Sequence, residues 1–436
     1  MLPSAQTEIY LVKDGLLVLA YLGFISSRIP TGMHVKAMAG LSTLLLLSGV
    51  YFGIQLFNPN SPSILLSIVG FKNYLLYVPL AFVVPYMFSS SQDLENKLRK
   101  YAIIMIPFAA LGLVQFAFPP DHWINGYVSH DPETERVIAM FGIGDAKART
   151  TGTFSYPGGY TTFLTVMLYL GAGLAASRNW RFSGNVWPWI LLVVTIAAIF
   201  TTGSRAPIYA TVITAPVVLY IWASRGVMSI RNVLNVSLAC ICISIVVTFI
   251  APKAIEAYQY RAEHADNPTD RMLSPLTEVV AAVEDAPIIG AGMASTHSSA
   301  LTIMATKEFW WLHGQYFEQE GARVLQETGV LGFMLVYGAR IWLLIRAIRL
   351  GMRFRSALYV AMAGGIAGFL AQYLFLIVIN NPTGGVYYWF LAGLLFAMFR
   401  LEYQEANAPL RALRSKQVGL KAAGAITAKR RQQATN

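Results

Sequence analysis

WPWILLVVTIAAIFTTGSRAPIYATVITAPVVLYIWAS, residues 187–224, is two greasy runs joined by one polar turn. Residues 187–203 and 207–224 are each about the length a helix needs to cross roughly 30 Å of hydrocarbon. Between them stands Gly203-Ser204-Arg205-Ala206. An arginine is costly in lipid, so Arg205 belongs at a water boundary or against a polar partner. The stretch reads as two membrane spans with a turn at the interface. That reading makes the chain a membrane protein and Arg205 a functional candidate.

Working outward, composition agrees. Of 436 residues, 56% are hydrophobic and 13% charged, where a soluble chain carries about 25% charged. Hydropathy predicts an all-α polytopic membrane protein of about eleven transmembrane helices: 9–26, 38–57, 72–89, 101–118, 159–177, 187–203, 207–224, 233–251, 328–347, 357–379 and 385–400. Helices satisfy their own backbone polar groups in lipid, and no alternating barrel pattern is present. Cys240 and Cys242 share one apolar run at a spacing that points them to different helix faces, so neither a disulfide nor a cysteine metal site follows.

Most of the 33 Lys and Arg fall in the joints 27–37, 90–100, 178–186, 225–232 and 348–356 and in the tail after 400. The same segments hold few acids: Asp93, Glu95, Glu402 and Glu405. The positive-inside rule therefore puts those joints in the cytoplasm, the N-terminus outside and the C-terminus inside. The basic balance is a topology signal, and no folded nucleic-acid-binding domain supports the other reading. The expected organisation is 1–251 as helices one to eight with an outer loop at 119–158. Then come a large helical extracytoplasmic loop at 252–327, helices nine to eleven within 328–400, and a solvated basic tail at 401–436. Within the large loop, Leu276, Val279, Val280 and Val283 recur at helical spacing with Pro275 in the first turn. A second, aromatic helix is expected at about 298–320.

The outer face should be poor in cations, so those left there need a reason. Arg205 has no acid nearby in sequence, Arg149 precedes a span in RTTGTFSYPGGY, and Arg271 stands at the mouth of the loop helix. Guanidinium binds phosphate through paired, planar hydrogen bonds and stays charged. Converging arginines at the membrane rim would suit a lipid-linked diphosphate, with Lys72 and the Ser204 hydroxyl in support.

These motifs carry a resemblance. TTGSRAP, RTTGTFSYPGGY, DRMLSPLTEVVAAVEDAPIIGAGM and EQEGARVLQETGVLGFML, in that order, resemble the O-antigen ligase and O-antigen polymerase superfamily. LVKDGLLVLAYL is similar to one of its early spans. The chain departs from it too: Glu318 stands where the ligases carry a His, Gln319 replaces an Asn and Ala322 a Leu.

The resemblance implies a GT-C-like bacterial inner-membrane glycosyltransferase. Its donor would be an undecaprenyl-diphosphate-linked glycan, and its acceptor a glycan or lipid hydroxyl on the periplasmic face. Polysaccharide export or chain-length proteins are possible partners. Chemistry then asks for cations where negative charge builds on the departing diphosphate, namely Arg205, Arg271 and Arg149 with Lys72 and Ser204. It asks also for a base on the acceptor, for which Glu318, Glu320 and His313 are candidates. An ion pair with Arg323 is the plain alternative for Glu318. No cofactor or metal is called for, since neither Asp-x-Asp nor ligand-spaced histidines occur. The missing His favours a polymerase, with a ligase second and a transporter or flippase of lipid-linked glycans third.

Overall fold

The computed structural model describes residues 6–27, 34–119, 122–125, 140–141, 147–154, 156–177, 186–204, 206–227, 268–285, 287–297, 300, 303 and 318–434. The described residues are helical apart from turns and one two-stranded ladder, β1 (Met140–Phe141) against β2 (Lys147–Ala148).

The helices are α1 (Gln6–Ser26), α2 (His34–Gln55), α3 (Ile64–Leu75), α4 (Leu80–Val83) and α5 (Ser91–Ala117). There follow α6 (Pro157–Ala176), α7 (Trp187–Thr201), α8 (Ala206–Ser224) and α9 (Pro268–Asp285). The last three are α10 (Glu320–Gly351), α11 (Ala357–Gln372) and α12 (Pro382–Ala434).

Six of the described stretches are long and apolar enough to cross a membrane: Ile64–Tyr86, Ser91–Ala117, Pro157–Ala176, Ala206–Ser224, Glu320–Gly351 and Pro382–Ala408. Gly40–Gln55, Trp187–Thr201 and Ala357–Gln372 are shorter apolar helices. α1 carries Glu8, Lys13 and Asp14 within its length. The expected span 233–251 lies outside the described residues. So does most of the expected aromatic helix at 298–320.

α6 and α11 form the centre of the bundle. α11 packs on α6 and α8, α6 on α7, α5 on α7, and α10 on α2, α9 and α11. Small residues in AGGIAG of α11 let backbones close up. A Cβ at Gly365 would stand 2.8 Å from the Tyr169 carbonyl oxygen. Trp222 closes the α8 side by donating its indole N–H to the Ala361 carbonyl at 3.0 Å. Outside this centre, Leu16, Leu19, Leu46, Ile54, Val212 and Ile213 are exposed. Such an apolar exterior suits lipid and would be a liability in water.

Two sequence expectations need correction. α9 starts at Pro268, so Pro275 lies inside the helix and not in its first turn. Of its apolar stripe, Val279 packs against Ala322 and Leu325 of α10, joined by Ala282, while Leu276, Val280 and Val283 are exposed. The tenth expected span stops at Gln372 instead of 379. Beyond it Leu374 and Phe375 donate to the Ala371 and Gln372 carbonyls at 3.3 and 3.2 Å in a turn, and the buried Glu320 of α10 accepts the backbone N–H groups of Val378 and Ile379, at 2.7 and 2.6 Å. The tail continues α12 as a helix through Ala434.

Candidate functional site

The ends of the helices sort into two sets. At one end, Arg225 donates to the Phe354 carbonyl at 2.9 Å, Arg400 to the Phe88 carbonyl, and the Arg355 N–H to Glu402 at 2.6 Å. The opposite end brings together the motifs singled out by sequence.

There, the turn after α7 is locked to the segment before α6. Thr150 donates its N–H to the Thr201 carbonyl at 3.3 Å, and the Thr150 and Thr201 hydroxyls meet at 2.9 Å. Arg149 Nε donates to the Thr202 carbonyl at 3.1 Å. Gln115 of α5 fastens the same segment. Its amide oxygen accepts from Thr151 and Gly152 N–H, and its Nε2 donates to the Gly152 carbonyl at 3.0 Å. Gly152 has φ +57°, and a Cβ there would strike the Tyr160 ring at 2.6 Å. Ser204 N–H is held by Thr202 Oγ1 at 3.2 Å. Arg149 and Ser204 therefore share one edge. Arg205 itself lies outside the described residues.

The rim continues through Asn381, which donates to Thr162 Oγ1 of α6 at 3.0 Å. Val378 and Ile379, just before it, are bound by Glu320. Glu320 is 1% exposed and its other oxygen pairs with the buried Arg340. A carboxylate with both oxygens so engaged is a structural anchor. Two residues earlier, Glu318 is exposed. Between them, Gln319 ties α10 to α9: its N–H donates to Glu278 at 2.8 Å and its Nε2 to Ser274 Oγ at 2.9 Å. Burial raises the Glu278 carboxyl, with the Gln319 N–H opposing it. Residue 271 lies one helical turn before Ser274 on α9, so the Arg271 backbone position adjoins the start of α10. The Arg271 side chain and His313 lie outside what is described.

Farther round, the turn Pro287-Ile288-Ile289-Gly290 docks into a break in α10. Gly329 has φ 67° and ψ −176°, which interrupts the helix. The Gln326 and Glu327 carbonyls accept instead from Ala291 at 2.8 Å and Gly292 at 3.1 Å. A Cβ on Gly329 would overlap the Ile288 carbonyl, and one on Gly290 the Glu327 carbonyl. The two glycine motifs are thus halves of one joint. Gln55 and Asn58 of the α2 end close it by donating to the Ile289 carbonyl at 2.7 and 3.0 Å. Glu327 is buried, accepting from Thr296 and, at 2.9 Å, from the Tyr74 hydroxyl. Lys72 pairs with Asp14 at 2.8 Å.

Sequence reasoning missed Gln115, Asn381, Gln55, Asn58 and Tyr74. A signal existed for the amides: each is a polar side chain within or beside an apolar run, where it needs a partner. Among the described residues no group of three His, Cys, Asp or Glu stands together to hold a metal. A cavity of about 40 Å³ among Ser48, Tyr74, Arg340 and Tyr388 has room for water rather than a sugar.

The apolar helices, the lipid-suited exterior and the polar rim define a multi-pass helical membrane protein. Residues 190–337 match the family model described as O-antigen ligase. The matched stretch holds the Thr-Gly-Ser-Arg turn, α9 and the Gly290–Gly329 joint, and it supports the resemblance to the O-antigen ligase and polymerase superfamily. No curated protein matches the chain.

Proposed function

We propose that the chain polymerises undecaprenyl-diphosphate-linked oligosaccharide units at the rim formed by the Arg149–Thr202 edge, α9 and the start of α10. The observation that carries this reading is the seam between residues 149–152 and 201–204, which sets Arg149 and Ser204 side by side immediately before Arg205. Arg205 and Arg271 complete the diphosphate grip, with Lys72 as outlying support.

In the reaction the acceptor hydroxyl oxygen attacks the donor sugar's C1. The C1–O bond to the diphosphate breaks and its electron pair leaves with the diphosphate oxygen. The hydroxyl proton passes to a base. Glu318 suits that role better than Glu320, because it is exposed beside α9 while Glu320 is held by Arg340, Val378 and Ile379. His313 remains the alternative base. Guanidinium donors at the leaving group are preorganised for the charge that develops there.

Purified protein and lipid-linked units test the reading: successive lengthening of the chain is expected. Arg205→Lys and Arg271→Lys should each lower turnover by about 100-fold or more, since a point ammonium cannot replace a planar fork. Wild-type turnover in either variant removes that residue from the site. The ligase reading is supported by the matched family model, which is described as a ligase, and stands second because Glu318 replaces the ligases' His. It predicts a single transfer to an added acceptor lipid and no lengthening. Movement of intact lipid-linked glycan across vesicles, without bond exchange, would instead indicate a flippase.

A further inference from the structure

α9 presents three kinds of surface. One side presses on α10: Val279 packs with Ala282 against Ala322 and Leu325, and a Cβ added at Gly321 would stand 2.7 Å from Val279 Cγ2. A second side is apolar and exposed. Leu273, Leu276, Val280 and Val283 recur at steps of three and four, which puts them on one face of a helix with 3.6 residues per turn. All four are exposed, Val280 by 66%. Farther round, Thr277, Ala281 and Glu284 are exposed as well. The apolar stripe thus lies between the α10 contact and a more polar side. A helix that met only water and α10 would carry polar residues on that middle face.

Past the end of α9 the pattern carries on. Ile288 is 86% exposed, and Ile289 is exposed beside it. Both stand in the turn that docks into the break in α10, where the Ile288 carbonyl fills the place of a side chain on Gly329. Val330 and Leu331 follow Gly329 directly and are exposed, and the exposed Met334 continues their face along the membrane-length stretch Glu320–Gly351. Through Ile288, the stripe of α9 is therefore continuous with the lipid-suited exterior of α10. The ionisable residues of α9 are Asp270, Arg271, Glu278, Glu284 and Asp285. That acidic set offers no attraction to an anionic surface, so whatever covers the stripe is held by apolar area.

We propose that α9 and the Ile288 turn form an interfacial element, whose apolar stripe lies in the leaflet at the rim with the lipid acyl boundary as its partner. Zwitterionic lipid suffices, because the contact is burial of Leu273, Leu276, Val280, Val283 and Ile288 rather than charge pairing. The lipid-facing surface of the bundle then extends sideways along α9. Gln319, bound to Glu278 and Ser274 of α9, rides on the same element, so the leaflet sets the height of the α9–α10 contact. The inference goes beyond the glycosyl-transfer reading and does not need it, because it is measured without donor, acceptor or turnover.

The test uses the full chain with Cys240 and Cys242 replaced by Ala and one cysteine added. Leu276→Cys, Val280→Cys, Val283→Cys and Ile288→Cys sample the stripe. Leu331→Cys is the lipid-facing reference, and Thr277→Cys and Glu284→Cys are the polar-side references. All are exposed positions, and a variant that does not run as a single species on gel filtration is replaced by its neighbour in the same set. Each carries a polarity-sensitive fluorophore in nanodiscs of phosphatidylcholine, with or without phosphatidylglycerol, and with or without lipid bearing a nitroxide high on its acyl chain. Stripe labels should emit to the blue, like the Leu331→Cys label, and nitroxide lipid should quench them at least about twofold more than the polar-side labels. Quenching should be the same with and without phosphatidylglycerol. Stripe labels that match Thr277→Cys in colour and quenching overturn the proposal. Blue emission without quenching by nitroxide lipid also overturns it, since protein, either another segment or a second copy, would then cover the stripe. Quenching that requires phosphatidylglycerol overturns it as well, because charge and not apolar area would hold the helix.

Discussion

At the scale of single residues, the outer rim uses charge in two different ways. Glu320 and Arg340 are buried against each other, and Glu320 also holds two backbone N–H groups. This is charge used to fix chain geometry: a buried pair repays its desolvation only when further hydrogen bonds complete it. His297 is the opposite case, a group kept neutral by burial first and by the positive charges of Arg323 and Lys72 second. Its value falls from the ordinary 6.5 to about 4, so between these limits the unfolded chain binds a proton that the folded chain does not. Stability contributed by the neutral ring is present above about 6.5 and is lost as pH falls through that window toward 4. Thermal melts in detergent should show the wild type losing more stability than His297→Gln between those two pH values. Parallel pH curves for the two proteins would show that His297 does not titrate this way. None of this was visible in the sequence. His297 showed no ligand spacing there, and its neighbours Lys72 and Arg323 come from elements far apart in the chain.

At the scale of elements, the spans were legible but their ends were not. Hydropathy reports which residues avoid water, and the expected spans 159–177, 187–203 and 207–224 match α6, α7 and α8 within a few residues. The end of α11 was misplaced because apolar side chains run on past it, while the backbone turns over at Leu374 and Phe375 and is then held at Val378 and Ile379 by Glu320, more than fifty residues earlier. The break in α10 has a clearer local cause. Gly329 takes φ 67° and ψ −176°, a conformation essentially reserved for glycine. The Ile288 carbonyl also fills the place of a side chain. Gly329→Ala must both strain the backbone, by about 1–3 kcal/mol, and push the Pro287–Gly290 turn out of the joint. Gly338, in the same helix, has open space around it, so Gly338→Ala is the matched control. Melting temperature and folded yield in detergent should fall for Gly329→Ala and hold for Gly338→Ala. Equal behaviour of the two would mean the joint contributes nothing to stability.

At the scale of the whole molecule, the two ends of the bundle differ in kind, and this returns to the first signal in the sequence. The start of α5, the end of α8, the end of α10, the start of α11 and the middle of α12 meet through Arg225, Arg400, Arg355, Ser91 and Glu405. These are the joints in which the sequence concentrates Lys and Arg. The end that carries Arg149, Glu318 and the glycine joint is reached by the other ends of the same helices, so the alternation of spans is internally consistent. Charge bias predicts that the first end is cytoplasmic, and the proposed transfer on the periplasmic face requires that orientation. Site-directed labelling decides it. Cys240 and Cys242 are first replaced by Ala, and a single cysteine is then placed at Trp123, which is 81% exposed beyond the end of α5, or at the exposed Asn96 near its start. A membrane-impermeant maleimide should label Trp123→Cys in intact cells and reach Asn96→Cys only after permeabilisation. The reverse pattern would put the arginine edge in the cytoplasm and leave the diphosphate grip on the wrong side for extracytoplasmic transfer. Labelling of both sites in intact cells would mean that α5 does not cross the membrane, which its 27-residue length and apolar composition argue against.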